Sequence, residues 1–374
     1  MERAAEAIRR PRLMIVGAFP PPDTRIFGGV ITSCRLLQHS SLPRRAALTL
    51  IDSTQIANPP PGWFMRARRA FARTLVYMAM FREPPPDAVL LFCSAGASFL
   101  EKTFMAWYAR LRGVPAILFP RDGSLMAQGT TAFGRAWLRA LCGGTAMVLC
   151  QGPAWQRFAT TTLGFPVDRC PVVPNWSATP QLLEIGRARA RRAEGGIELL
   201  FVGWVEPEKG IRELLEAFQR IAQERDVRLN LVGDGHAMPL AREFVEANNL
   251  SSKVRFSGWL SADGLLEAYG EADVLVLPSW AEGLPNAMIE AMAAGLAVLV
   301  TRVGNVPDVV RDREDALLVQ PRDVDALAAA LADVVDDDAL RTRLAHAGHD
   351  LASREFAVEP AVERILLAVE RVRR

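Results

Sequence analysis

A chain of 374 residues is too long for one ordinary hydrophobic core, so two domains are expected. Half of the residues are apolar and 23% are charged, the balance of a soluble globular protein, and no apolar run reaches the roughly 18 residues that a membrane-spanning helix needs. The net charge of +2 hides an asymmetry: residues 1–175 carry 21 Lys/Arg against 9 Asp/Glu, whereas residues 176–374 carry 23 against 33, so the N-terminal half suits an anionic surface or an anionic acceptor.

Residues 1–12 contain acids and no apolar core segment, which argues against a secretory signal and for a cytoplasmic protein. The first strand is expected at residues 13–16, followed by a proline-rich loop and by Ile26-Phe27-Gly28-Gly29-Val30, which leads into a helix through residue 37. Adjacent glycines at a strand-to-helix turn let backbone N–H groups approach a ligand closely, so Gly28 and Gly29 are candidate site residues. Residues 63–82 predict a helix in which Trp63, Phe64, Phe71 and Leu75 stand among Arg66, Arg68, Arg69 and Arg73. A basic amphipathic helix of this kind fits a membrane interface, with its arginines on anionic headgroups; it also fits a helix packed on its own core with a solvated basic edge. Phe104, Trp107 and Tyr108, beside Lys102, Arg110 and Arg112, extend the same pattern.

Apolar runs at residues 88–92, 115–119 and 146–150 alternate with helical segments and so predict a parallel sheet. Loops after such strands face the ligand crevice, which brings Cys93-Ser94 and Pro120-Arg121-Asp122-Gly123-Ser124 near the chemistry. Arg121 and Asp122 are polar candidates there, or else an ordinary surface ion pair. The five cysteines lack Cys-x-x-Cys spacing and the four histidines do not cluster with them, so reduced, buried thiols are expected, with no metal site and no cofactor.

Residues 177–196, with Arg187, Arg189, Arg191, Arg192 and a glycine pair, read as a linker. A strand at 198–202 then leads through a loop at 203–210, which holds Lys209, into an amphipathic helix at 211–225. Strands at 228–232 and 254–257 follow. After them come Gly233-Asp234-Gly235-His236, a tight turn permitting close ligand approach, and Gly258-Trp259-Leu260. His236 reads better as a surface residue than as a catalyst.

The most informative stretch lies between apolar strands at 272–277 and 297–301. One helix of about ten residues is expected there, with Pro285 in its first turn and a left-handed stop at Gly295. Glu282 and Gly283 precede the helix N-terminus, where unpaired N–H groups and the positive end of the dipole favour an anion such as a phosphate. Glu290 lies inside the helix and is expected to share a shallow face with Ala287, Ala291 and Ala294. About 9 Å of axis separates Leu284 from Glu290, a span that suits a diphosphate and its ribose hydroxyls. Taken singly, Glu282 reads better as an ordinary loop acid and Glu290 as a solvated helix residue. Beyond residue 301 a strand at 316–319 and helices at 325–335, 338–352 and 359–373 are expected, and Asp336-Asp337-Asp338 reads as a solvated turn.

Together, Glu282-Gly283-Leu284-Pro285-Asn286, Glu290-Ala291-Met292-Ala293 and Gly295, followed by Thr301, Gly304, Pro307 and Asp308, closely resemble the retaining glycosyltransferases of family 4, which have the GT-B architecture. The resemblance covers most of the C-terminal half and weakens towards the N-terminus. It implies an α/β fold of two Rossmann-like domains, with parallel sheets facing a central cleft. Residues 1–176 would hold the acceptor, 177–196 would be the linker, 197–355 would hold the nucleotide sugar, and 356–374 would form a helix packing back toward the first domain. The resemblance further implies that Gly28 and Gly29 line the cleft and that Lys209 grips the donor diphosphate beside Gly283, Leu284, Pro285 and Asn286. Gly233, Gly258 and Trp259 would lie by the donor and its base, and Glu290 would bind the ribose. Glu282 would orient the transferred sugar in a metal-independent front-face displacement with retention. Two positions depart from the family. Trp204 stands where relatives carry a second diphosphate-binding arginine, with Arg25 or Arg121 as compensating cations, and the segment from Phe119 to Asp122 lacks the histidine that many relatives place there.

The expected function is transfer of a sugar from a nucleoside-diphosphate donor to a glycan or lipid-linked acceptor in polysaccharide or glycolipid synthesis. No nucleic-acid partner is expected, and the location would be cytoplasmic or peripheral on the membrane's inner face. Trp204 and the absent histidine motivate an alternative, a catalytically silent subunit that binds a sugar nucleotide. A dinucleotide-dependent dehydrogenase is disfavoured because no Gly-x-Gly-x-x-Gly follows the first strand.

Overall fold

The computed structural model describes residues 10–21, 29–54, 62–82, 84–121, 123–189 and 196–373, so Arg25, Gly28 and Asp122 lie outside the described residues. The chain forms two compact units, one of Met1–Asn175 with Val358–Arg374 and the other of Trp176–Ala357.

The first unit runs β1 (Arg12–Gly17), α1 (Gly29–His39), α2 (Leu42–Arg45), β2 (Ala47–Asp52), α3 (Trp63–Ala79), β3 (Ala88–Cys93), α4 (Ala97–Leu111), β4 (Ala116–Pro120), α5 (Ala132–Cys142), β5 (Met147–Val148) and α6 (Pro153–Phe158). Its five strands lie in the order β2-β1-β3-β4-β5, every pair parallel. Every residue of β3 and β4 is buried, as parallel strands covered on both faces require, which is why they read as unbroken apolar runs. β2 was not expected. It is an edge strand with Ile51 its only buried residue, so its sequence carries no such run. All five cysteines are buried and none is in a disulfide.

The second unit runs α7 (Pro180–Ala188), β6 (Ile197–Val202), α8 (Ile211–Ala222), β7 (Val227–Val232), α9 (Met238–Ala247), β8 (Val254–Gly258), α10 (Ala262–Glu271), β9 (Val274–Leu277), α11 (Asn286–Ala293), β10 (Ala297–Thr301), α12 (Val306–Val309), β11 (Leu317–Val319), α13 (Val324–Asp336) and α14 (Asp338–Glu355). Its six strands are parallel in the order β11-β10-β9-β6-β7-β8. Of the segment expected as a linker, residues 177–196, Pro180–Ala188 form the helix α7. Thr179 Oγ1 caps α7 by accepting from Leu182 N at 3.2 Å. Arg189 donates to the carbonyls of Ala294 (3.0 Å), Ala272 (2.6 Å) and Tyr269 (2.6 Å). That arginine satisfies carbonyls left open where helices end, which is what binds an Arg-rich stretch to a core instead of to solvent. In the Asp336-Asp337-Asp338 turn, Asp336 pairs with Arg225 at 2.8 Å and Asp337 caps α14 through Leu340 N.

The last helix, α15 (Val358–Arg373), belongs to the first unit. It buries Val362, Ile365, Leu366 and Val369, spaced at i, i+3, i+4 and i+7. Ser41 N donates to Glu359 Oε1 at 3.0 Å, and Arg45 Nη2 to Glu363 Oε2 at 3.0 Å.

Candidate functional site

The order of the second sheet fixes where a ligand can sit. From β6 the chain winds outward through β7 to β8, and from β9 it winds the other way through β10 to β11. The two loops that leave the carboxyl ends of β6 and β9 therefore diverge, opening a crevice at the switch between those neighbouring strands. Lys209 lies on the first loop and Glu282 on the second, and they meet: Lys209 Nζ donates to Glu282 Oε1 at 2.6 Å, and Ser279 Oγ donates to the same oxygen at 2.9 Å.

Backbone contacts hold these loops together. Trp280 N donates to Glu208 O at 2.8 Å. Gly210 has φ +71°, and a Cβ there would stand 2.2 Å from Pro278 O, so only glycine lets the Lys209 loop come this close. Trp280 is pinned as well, with Nε1 donating to Glu213 Oε1 at 2.9 Å and the Arg322 guanidinium 4.1 Å from its ring centre.

The helix after this loop is α11, eight residues long and shorter than expected. Pro285 stands at its N-cap with extended backbone, so it precedes the first turn instead of occupying it. Leu284 and Pro285 are buried, which leaves them only their main chain to offer a ligand, while Gly283 and Asn286 are half-buried. Asn286 O accepts from Ser177 Oγ at 3.3 Å. The stop at Gly295 is left-handed, with φ +73°.

Glu290 is half-buried, but its neighbours differ from the expectation. Ala291 and Ala294 are fully buried in the core and form no open face with it. Ala291, one position along, points about 100° away from Glu290, and Ala294 stands beyond the last helical residue, at the C-cap of α11. Only Ala287, also half-buried, stays beside Glu290, and the axial distance from the start of α11 is about 6 Å. Tyr269 on α10 donates its hydroxyl to Glu290 Oε2 at 2.8 Å, and Oε1 has no hydrogen-bond partner among the described residues. Burial lifts the Glu290 pKa to about 7, against the lowering effect of the tyrosine hydroxyl. Burial and the neighbouring glutamate also raise that tyrosine.

The turns after β7 and β8 lie along the same carboxyl edge. Gly233, at φ +130°, packs so tightly that a Cβ would fall 1.8 Å from Gly203 O, and its N–H donates to Gly258 O at 2.8 Å. These contacts bring the three loops together, and Trp204 and Trp259 meet edge to face with ring centres 4.7 Å apart. Both indoles are partly exposed. His236 is almost wholly exposed and bonds Glu206 through Nδ1 at 2.8 Å.

In the first unit Gly29 opens α1 and is exposed. Arg121 follows β4, where its N–H donates to Cys93 O and Nη2 donates to Ser33 Oγ at 2.8 Å. Its guanidinium lies 4.8 Å from the centre of the Phe119 ring, and burial lowers its pKa to about 10. Ser279, Trp280, Tyr269 and Ser33 escaped sequence reasoning. The first two follow the β9 run and carried the only available signal, their place at a strand's carboxyl end.

Two family models match the chain. "Glycosyl transferase 4-like domain" covers residues 16–176, and "Glycosyl transferases group 1" covers residues 196–337. Among curated relatives, a lipopolysaccharide core biosynthesis glycosyltransferase, LpsE, from Rhizobium meliloti is 30% identical over 195 residues, 52% of this chain and 56% of its own. The chain spans about half the length of the curated relatives it matches. Among solved structures, sucrose-phosphate synthase from Thermosynechococcus elongatus superposes with a TM-score of 0.75 at 19% identity, covering 97% of this chain and 99% of its own. Anabaena Alr3699/HepE, solved in complex with UDP, gives 0.69 at 15% identity, covering 96% and 100%. Likeness at this level of identity establishes the α/β fold of two parallel-sheet units, the GT-B architecture.

Proposed function

We propose that this chain, which belongs to the group 1 glycosyl transferases, moves a sugar from a nucleoside-diphosphate donor to a glycan or lipid-linked acceptor in polysaccharide or glycolipid synthesis. The observation that carries the proposal is the meeting of Lys209 and Glu282 at the switch between β6 and β9, just ahead of α11, with Glu290 one turn into that helix. UDP bound to the Anabaena protein of the same fold supports a nucleotide ligand.

The donor's diphosphate lies against Lys209 and the first turn of α11, whose N–H groups are left over by the helix. The ribose hydroxyls reach the Glu290 carboxylate, and the base lies by Gly233, Gly258 and Trp259. During transfer the bond from the sugar's anomeric carbon to the diphosphate oxygen breaks, and charge accumulates on the departing phosphate. A fixed ammonium and fixed backbone dipoles stabilise that charge without reorganising, which is the largest contribution such a site makes. The acceptor oxygen bonds the anomeric carbon on the face the diphosphate leaves, and the acceptor's proton goes to the diphosphate oxygen, so configuration is retained. Glu282, braced by Ser279, holds the sugar, and Arg121 with Gly29 serves the acceptor side.

Trp204 favours a second reading, a silent sugar-nucleotide binder, because an indole adds no positive charge beside the diphosphate. One experiment separates the two. Incubation with UDP-, GDP- and ADP-sugars, with chromatography of the released nucleoside diphosphate, is expected to show slow hydrolysis of one donor class. Tight nucleotide binding with neither hydrolysis nor transfer would establish the binder, and absence of any nucleotide binding would remove both readings.

A further inference from the structure

The first unit carries an apolar surface that the transfer reaction does not use. α3 buries one residue of its seventeen, Tyr77. Trp63 and Phe64 are 79% and 70% exposed, and Phe71 and Leu75 continue the apolar surface along the helix. A helix gains most of its stability from packing an apolar face, so one that leaves its aromatics in water has a face for something else.

The surface is wider than one helix. α3 is tied to α4 by the Arg73–Glu101 ion pair at 2.6 Å and by Tyr77 Oη donating to Met105 O at 2.9 Å. α4 is tied to α5 by Trp107 Nε1 donating to Ala140 O at 3.2 Å. Along α4 the outward residues Leu100, Phe104, Trp107 and Leu111 recur at i, i+4, i+7 and i+11, and α5 adds Phe133 and Trp137. The three helices form one layer that presents a single apolar face.

The charge on this layer has one sign. Across α3, α4 and α5 the only acid is Glu101, and it is already held by Arg73 and Lys102. Arg66, Arg68 and Arg69 are exposed and have no acidic partner among the described residues. A second copy of this face would bury the rings but set arginine against arginine, and a soluble polyanion would meet the arginines but leave the rings in water. An anionic bilayer meets both: rings enter the interface while arginine stems lie along the acyl boundary and their guanidinium groups reach lipid phosphates. No described helix is long and apolar enough to cross a membrane.

We infer that the α3–α4–α5 face docks on the surface of an anionic lipid bilayer, with Trp63, Phe64 and Phe71 entering the interface and Arg66, Arg68 and Arg69 on its phosphates. The inference is independent of the transfer reaction, since its readout is partition to lipid and not turnover.

Flotation of the full chain with vesicles of phosphatidylcholine alone, and with phosphatidylglycerol added, tests it. Binding is expected only to the anionic vesicles and weakens as salt is raised. The variant Arg66→Gln/Arg68→Gln/Arg69→Gln is expected to partition roughly a hundredfold less, at about fivefold per arginine. Phe64→Ser/Phe71→Ser is expected to lose about tenfold while keeping the circular dichroism spectrum and nucleotide affinity of the parent. No partition to anionic vesicles at low salt would overturn the inference, as would equal partition by both variants. Light scattering of the lipid-free chain gives the other occupant its chance: a dimer dissolved by the Phe64/Phe71 change, with no vesicle binding, would assign the face to a second copy and overturn the bilayer.

Discussion

Glu290 sits where burial lifts its pKa to about 7, so one side chain changes charge inside the ordinary assay range. If Glu290 binds the ribose as proposed, the form that accepts its hydroxyls is the carboxylate, so nucleotide affinity is expected to fall as pH drops through about 7. Calorimetric titration with nucleoside diphosphate from pH 6 to 8 checks this, and Glu290→Gln is expected to bind more weakly with no pH dependence from this site. The effect on folding has the opposite sign. The folded pKa lies above the ordinary value of 4.5, so the stability Glu290 contributes at low pH is lost as pH rises from about 4.5 to about 7. Urea titrations across that range are expected to show a smaller loss in the Gln variant. Lys209 belongs to the same scale. Removing a charge-assisted phosphate contact costs about 1.5 to 3 kcal/mol, so Lys209→Ala is expected to lower kcat/KM for the donor by roughly 10- to 150-fold while Lys209→Arg recovers part of the loss. Unchanged kinetics in the alanine variant would remove Lys209 from the site.

At the scale of elements, α11 and the two loops beside it act as one unit. Gly210→Ala would need a left-handed backbone and space already taken by Pro278 O, so a loss of about 2 to 4 kcal/mol is expected in equilibrium denaturation. Legibility in the sequence followed burial. β3, β4, β9 and β10 were readable because parallel strands covered on both faces leave unbroken apolar runs. β2 at the sheet edge left none, and α7 was hidden because Gly186, Arg187 and the arginines that follow in the sequence resemble a linker until Arg189 is seen capping carbonyls of distant segments. That Lys209 and Glu282 stand on loops after strands and Glu290 on the helix between β9 and β10 was legible from the apolar runs around them. The environment of Glu290 was not, because Tyr269 is 21 residues away on another helix and Ala294, which a four-residue spacing would set beside Glu290, lies at the helix C-cap and is buried in the core. Trp280 escaped for the same reason, as its partners Glu213 and Arg322 come from separate elements.

For the whole molecule, two separate cores predict two responses to a ligand. A nucleoside diphosphate held as proposed stabilises the second unit by about 2.7 kcal/mol at a hundred times its Kd, and the first core does not share that stabilisation if it opens separately. Hydrogen exchange with and without nucleotide is expected to slow in β6, β9 and α11 and to stay unchanged in β1, β3 and β4. Equal slowing throughout would show that the two cores open as one.

The bond between Lys209 and Glu282 bears on how fast such a site can work. For the donor placement we propose, an ammonium answered from within the chain is no bare trap, and an incoming diphosphate arrives as a rival for it. A spent one departs while a tethered carboxylate stands ready to reclaim its place. Release then becomes an exchange of anions and not the exposure of an isolated cation, which keeps tight grip at the moment of bond breaking compatible with rapid clearance of the product.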